Sequence, residues 1–112
     1  MFSYKRKSDD PYYDNPQKLR ELLGGEAPYF LVDVRTREEY DTGHIRGASH
    51  VPYLEIGSRP PTDDRSALIV VYCHSGGRSE TAKRSLQRKG YTSVFNFGGI
   101  VHWPGELVGG RE

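Results

Sequence analysis

The chain has 112 residues, enough to bury one modest core of a few strands and helices. Sixteen lysines and arginines stand against fifteen aspartates and glutamates, and a net charge of +1 gives no global reason to expect nucleic acid as a partner. No apolar stretch approaches the ~20 residues of a membrane span, and the basic start, Met1 to Lys7, leads into no signal-type apolar region, so the expectation is a cytoplasmic protein with no membrane partner.

Residues 1–11 are polar and charged and are expected to form a mobile tail ahead of a single domain over residues 12–112, with a short extended piece near Tyr12 and Tyr13. Asn15 followed by Pro16 reads as the cap and first position of a helix with Leu19, Leu22 and Leu23 on one face, which stops at Gly24 and Gly25. Phe30 to Val34 is an apolar run suited to a strand buried on both faces of a parallel sheet, with Arg35 just beyond its end. Thr36 and Glu39 have the spacing of a capping box, which predicts a short helix through Asp41 ended by Gly43. His44 to Pro52 reads as a turn and a brief strand, with a turn of helix from Tyr53. Gly57 to Ser66, carrying Pro60, Pro61, Asp63 and Asp64, reads as a surface loop.

Leu68 to Tyr72 is the clearest strand, uniformly apolar and therefore expected at the centre of the sheet. Ser79 to Lys89 is expected as a helix with Ala82 and Leu86 facing inward, the charges from Lys83 to Lys89 on a solvated face, and Gly90 as the stop. Thr92 to Phe97 is the last expected strand, and Gly98 and Gly99 open a short segment through Trp103 that Pro104 and Gly105 cut off. Alternating strands and helices predict an α/β fold, a mostly parallel central sheet of about five strands with helices on both faces. In such sheets the functional crevice lies at the carboxyl ends of the strands, where Cys73 and Arg35 both fall.

Cys73 is the chain's only cysteine, which excludes an internal disulfide, a Cys-x-x-Cys redox pair and a cysteine-rich zinc site. His44, His50, His74 and His102 show no metal-ligand spacing, so neither a metal nor a cofactor is expected. Cysteine closing an apolar strand is ordinarily a small buried hydrophobe. The residues that follow it, His74-Ser75-Gly76-Gly77-Arg78-Ser79, point elsewhere: a glycine-rich turn entering a helix makes a nest of converging N–H groups, a place for an anion. A helix end contributes up to ~2 kcal/mol against ~1.36 kcal/mol per pKa unit. Two or three hydrogen bonds at about 1.5 to 3 kcal/mol each would complete the conversion to a thiolate at neutral pH. Any covalent intermediate on Cys73 would be resolved by an outside partner.

Three signatures resemble the single-domain rhodaneses, the sulfurtransferase family: Val32-Asp33-Val34-Arg35 through Glu38-Glu39-Tyr40 to Gly43-His44-Ile45-Arg46-Gly47-Ala48 and Val51-Pro52; Tyr72-Cys73-His74-Ser75-Gly76-Gly77-Arg78-Ser79; and Gly90-Tyr91 through Val94, Asn96, Gly98-Gly99-Ile100 and Trp103. The resemblance covers residues 12–104 and implies the rhodanese fold. It also implies a reaction in which Cys73 takes the outer sulfur of a small anionic donor such as thiosulfate, becomes a persulfide, and passes the sulfur to cyanide, a thiol or a protein acceptor. By the same resemblance the amides of His74, Ser75, Gly76, Gly77, Arg78 and Ser79 would hold the persulfide, and Arg35 would bind the anionic donor. Arg35 is equally read as one half of an ion pair with a carboxylate of the adjoining helix. Arg78 is read either as a contact to the donor or as a brace paired with Asp33 or Glu39, and His44 as structural. Some thiosulfate-using relatives carry lysine where this chain has Ser75, which points to weak thiosulfate binding or to another donor.

Two rivals stand beside this reading. A phosphatase or arsenate reductase of related fold places its arginine six positions beyond the cysteine to enclose a tetrahedral oxyanion, whereas Arg78 lies five beyond Cys73; the shorter loop makes a smaller bowl. A non-catalytic rhodanese module that docks partners is the second, and such modules often lose the cysteine that this chain keeps.

Overall fold

The computed structural model describes residues 9–110, and the tail expectation for residues 1–8 falls outside them. In chain order the elements are α1 (Pro16–Gly24), β1 (Phe30–Asp33), α2 (Arg37–Thr42), β2 (His44–Ile45), β3 (Ala48–His50), β4 (Ile69–Cys73), α3 (Gly77–Arg88), β5 (Val94–Gly99), one turn of 3-10 helix (Ile100–His102) and β6 (Leu107–Val108). Four strands form a parallel sheet in the order β3-β1-β4-β5, and β2 and β6 form a separate antiparallel pair.

The parallel sheet has four strands rather than about five: the piece near Tyr12 and Tyr13, expected to be extended, forms hydrogen-bonded turns instead, and the segment from His44 to Pro52 divides. His44 and Ile45 turn away to pair with Leu107 and Val108, and only Ala48 to His50 joins β1. β6 had no place in the expectation. Pro104 and Gly105 do end the local helix, yet the chain then returns as a strand.

Side chains alternate across the sheet because a strand has a period of two. Val32, Val34, Ile69, Val71 and Cys73 face Ala82 and Leu86 of α3, while Leu31, Val70 and Tyr72 face Leu19 of α1. Helices therefore cover both faces, as expected, and all five residues of β4 are buried. Helix starts follow their caps. Asn15 accepts from the Lys18 amide ahead of Pro16, and the Thr36 hydroxyl and Glu39 carboxylate satisfy each other's backbone N–H groups. Residues from Tyr53 form hydrogen-bonded turns rather than a turn of α-helix.

Two further expectations change. Asp10, assigned to the tail, is 5% exposed and bonded into the domain. Lys83, assigned to a solvated face, is 1% exposed, because it follows Ser79 by four positions and so shares the inward stripe with Ala82 and Leu86.

Leu86 is fully buried between α3 and the sheet, whereas Leu54 is 80% exposed. Leu86→Ala is expected to cost about 2–5 kcal/mol in urea denaturation. Leu54→Ala is expected to stay within about 0.5 kcal/mol of the parent protein.

Candidate active site

β4 delivers Cys73 to the carboxyl end of the sheet, and α3 begins four residues later at Gly77. The intervening turn closes over the sulfur. The Gly76 amide donates to Cys73 Sγ at 3.0 Å and the Ser79 amide at 3.4 Å, and the Ser79 Oγ lies 3.3 Å away. Gly76 has φ of 112°, a left-handed conformation that a side chain would strain, and this aims its N–H back at the sulfur. Gly77 needs no such freedom and serves as the first residue of the helix. Gly99 of β5 lies directly beneath the turn, where a Cβ would sit 2.4 Å from the His74 carbonyl oxygen.

Cys73 is 1% exposed. Burial pushes its thiol up, and the Ser79 hydroxyl and the amides of Ser79, Gly76 and Ser75 together outweigh that and bring it below the ordinary thiol value. Of the run from His74 to Ser79 expected to ring the sulfur, the Gly76 and Ser79 amides are the ones at hydrogen-bond distance from it. His74 and Ser75 themselves are exposed.

Both arginines are engaged by carboxylates. Arg35 is 5% exposed, and its Nε and Nη2 reach the Asp33 carboxylate at 2.7–3.0 Å while Nη2 also donates to the Gly43 carbonyl at 2.6 Å. Its partner is therefore the last residue of β1, two positions before it, rather than a carboxylate of the adjoining helix. Burial acts to lower the Arg35 pKa, but the Asp33 contact outweighs it and raises the guanidinium above its ordinary value. Arg78 spans both oxygens of Glu39, at 2.8 and 3.0 Å, which joins the start of α3 to the capping box of α2. This is the brace read from the sequence, with Glu39 rather than Asp33. The Arg78 bond holds Glu39 down at about 2, burial opposing and the Thr36 backbone and hydroxyl assisting. Arg35 and Arg78 both line a cavity of about 170 Å³, together with Tyr53 and Leu54. His44 is fully buried, stacks on Tyr40 with ring centroids 3.7 Å apart, and places Nδ1 2.8 Å from the Tyr40 carbonyl.

Sequence reasoning left a second layer of residues without a role. Asn96 accepts from the Gly98 amide at 2.8 Å, at the point where β5 bulges against β4, and its Nδ2 reaches Glu80 at 3.0 Å and the Gly76 carbonyl at 3.4 Å. Behind it lie Asp10 and Lys83, 2.9 Å apart. For Lys83 the helical period was an available signal; for Asp10, an acid in a polar stretch, there was none.

Among known families, the model described as a rhodanese-like domain matches residues 15–106. The chain belongs to the rhodanese-like family. This family member is 39% identical over 71 residues to the thiosulfate sulfurtransferase PspE of Escherichia coli, a match covering 62% of this chain and 68% of that protein. It is 33% identical over 87 residues to the thiosulfate sulfurtransferase GlpE of Pseudomonas fluorescens, covering 73% and 80%. The putative sulfur carrier protein YrkF of Bacillus subtilis is 38% identical over 91 residues, 80% of this chain but 49% of YrkF, so this rhodanese-like chain spans about half of that relative. Among solved structures, the Alr3790 protein from Anabaena superposes with a TM-score of 0.79 at 28% identity, covering 86% of this chain and 82% of that one. A structure described as rhodanese with anions from E. coli superposes with a TM-score of 0.65 at 33% identity, covering 74% and 100%.

Because Glu39 is held below its ordinary 4.5 in the folded state, its contribution to stability is complete above that pH and is lost as pH falls towards about 2. Glu39→Gln is expected to lower stability at neutral pH and to flatten the acid limb of the stability curve between those values, measured by urea midpoints. Ser79→Ala removes a donor to the sulfur. It is expected to raise the midpoint of the pH profile of Cys73 alkylation by about one unit, the scale of one hydrogen bond to a charged group.

Proposed function

We propose that this rhodanese-like protein is a sulfurtransferase that carries one sulfane sulfur at a time on Cys73. The observation that carries the reading is the convergence of the Gly76 amide, the Ser79 amide and the Ser79 hydroxyl on a single sulfur atom at the end of β4. Donors so arranged stabilise one monoatomic anion, first the thiolate and then, with small adjustment, the terminal sulfur of a persulfide. The thiolate attacks the outer sulfur of a donor such as thiosulfate. A new S–S bond forms on Cys73, the donor's S–S bond breaks, and its electron pair leaves with sulfite. A nucleophilic acceptor, cyanide or a thiol, then attacks the terminal sulfur and releases the Cys73 thiolate. One cysteine suffices because the acceptor, not a second protein thiol, resolves the intermediate.

The relatives named as thiosulfate sulfurtransferases support thiosulfate as a donor, and the sulfur carrier named in B. subtilis supports a protein acceptor. Phosphoryl transfer is the weaker reading, since a loop of that kind needs a guanidinium free to take two phosphate oxygens. Here Nη1 and Nη2 of Arg78 are both bound to Glu39. Donor binding by Arg35 would likewise require it to share a guanidinium already bonded to Asp33 and Gly43, so we assign Arg35 and Arg78 to holding the loop and its approach in shape.

Incubation with thiosulfate is expected to add the mass of one sulfur atom to the intact protein, and cyanide is then expected to remove it as thiocyanate. Cys73→Ser is expected to abolish both. Release of phosphate from an aryl phosphate with no thiocyanate formed would reverse the assignment.

A further inference from the structure

Behind the cysteine turn lies a chain of buried polar contacts that the sulfur chemistry does not itself require. Asp10 Oδ2 accepts from Lys83 Nζ at 2.9 Å and from the Asn96 amide at 2.7 Å, and its Oδ1 accepts from the Tyr12 amide at 2.9 Å. The Asp10 and Lys83 side chains are 0% and 1% exposed. Asn96 continues the path, with its Oδ1 on the Gly98 amide and its Nδ2 on Glu80 and on the Gly76 carbonyl. Gly76 is the residue whose amide lies 3.0 Å from the sulfur. Tyr13 reaches the same place independently. A Cβ on Gly76 would fall 2.8 Å from its hydroxyl oxygen, and one on Gly98 would fall 2.9 Å from its ring.

A buried ion pair is costly to desolvate, and replacing one with apolar groups is often neutral or stabilising. The pair is therefore weak evidence for stability, and its contacts are the guide to what it does. The segment from Asp10 to Asp14 lies outside every helix and strand, yet it is fixed at both ends: Asp10 to α3 and β5, and the Asp14 amide to the Phe97 carbonyl at 2.8 Å. Between these points it presses on the turn.

We propose that Asp10 to Tyr13 is a positioning strap: Asp10, locked by Lys83, sets Asn96, and Asn96 with Tyr13 holds the Gly76 amide on the Cys73 sulfur. This rests on the reading of Cys73 as the sulfur carrier. Asp10, Lys83, Asn96 and Tyr13 are positioning residues. The charged and titratable groups facing the sulfur are Arg78 from α3 and, through it, Glu39 from α2 and Tyr53 from the turn after β3. None of these is altered by the variants that test the strap.

The double variant Asp10→Leu, Lys83→Met replaces the ion pair with apolar groups and leaves the Asn96 amide without its acceptor. Loosening one hydrogen bond to the thiolate is expected to raise the pH midpoint of iodoacetamide alkylation at Cys73 by about one unit. Persulfide formation from thiosulfate at neutral pH is expected to slow several-fold. Tyr13 is half-buried, so Tyr13→Ala keeps the core intact and is expected to move the midpoint in the same direction, by a smaller amount, should the double variant fail to fold. An unchanged midpoint in folded Tyr13→Ala, or in the folded double variant, overturns the proposal. The two readouts separate its failure from failure of the sulfur-transfer reading. A shifted midpoint in a protein whose parent forms no persulfide supports the strap and removes the sulfur chemistry, while normal persulfide formation with unmoved midpoints does the reverse.

Discussion

A sulfur anion that has lost its water must find donors in the protein, and in this chain that constraint fixes the geometry at the end of the sheet. Cys73 is 1% exposed, a position in which burial alone would hold the thiol neutral. The opposing hydrogen bonds come from a turn that is over-determined: β4 ends at its first residue, α3 starts four residues later, and Gly99 closes it from below. The Ser79 hydroxyl adds a switchable element, because one proton must serve Cys73 Sγ, the Gly76 carbonyl at 3.1 Å or the Gly98 carbonyl at 3.4 Å. With a neutral thiol, S–H can donate to Oγ while Oγ donates to a carbonyl; with the anion, the hydroxyl turns to the sulfur. Protonation state and hydroxyl orientation are therefore coupled without any movement of the backbone.

The distribution of charge follows the same logic. Each arginine near the turn has a carboxylate partner, Asp33 for Arg35 and Glu39 for Arg78; the second pair ties α3 to α2, and Arg35 reaches the end of α2 through the Gly43 carbonyl. The groups hydrogen-bonded to the Cys73 sulfur are two N–H dipoles and one hydroxyl, an arrangement suited to a single polarisable anion. Ser75 belongs to this pattern, since it places a small neutral side chain at the exposed crest of the turn.

Local rules carried most of the fold. The Asn15–Pro16 start, the Thr36 and Glu39 box, the apolar β4 run and the cysteine-to-helix turn each depend on residues within a few positions of one another. The two caps stand where the spacing placed them, while the β4 run is shifted by one residue to Ile69–Cys73 and α3 starts at Gly77 rather than Ser79. The departures involve partners distant in the chain. Nothing near His44 reveals that its strand partner is Val108, and nothing near Asp10 reveals Lys83, 73 positions away. Arg35 and Arg78 fall between these cases. Their chemistry required carboxylates, and which ones was decided by strand and helix geometry. At Lys83 periodicity and charge disagree, and periodicity prevails: the period that turns Ala82 and Leu86 inward turns Lys83 inward as well.

The buried Lys83 shows how the molecule is layered. Beside the Ser79 hydroxyl, the donors around the sulfur are main-chain amides, which cannot be substituted by mutation, so their placement is tuned through side chains that press on or bond to the backbone. Asn96 is suited to this because its amide both accepts and donates, joining the Gly98 amide of β5 to the Gly76 carbonyl of the turn across the bulge. An amide of that kind has two orientations related by a flip, and only one satisfies both backbone groups. The Glu80 carboxylate, accepting from Asn96 Nδ2 at 3.0 Å, selects the orientation that turns Nδ2 towards the Gly76 carbonyl. Glu80 in turn lies near Arg84, whose Nε is 3.4 Å from its second oxygen, so the selecting charge is itself partly balanced on the helix that carries the turn. The site is thus specified by a short hierarchy in which side-chain charges orient one amide, that amide orients two stretches of backbone, and the backbone meets the sulfur.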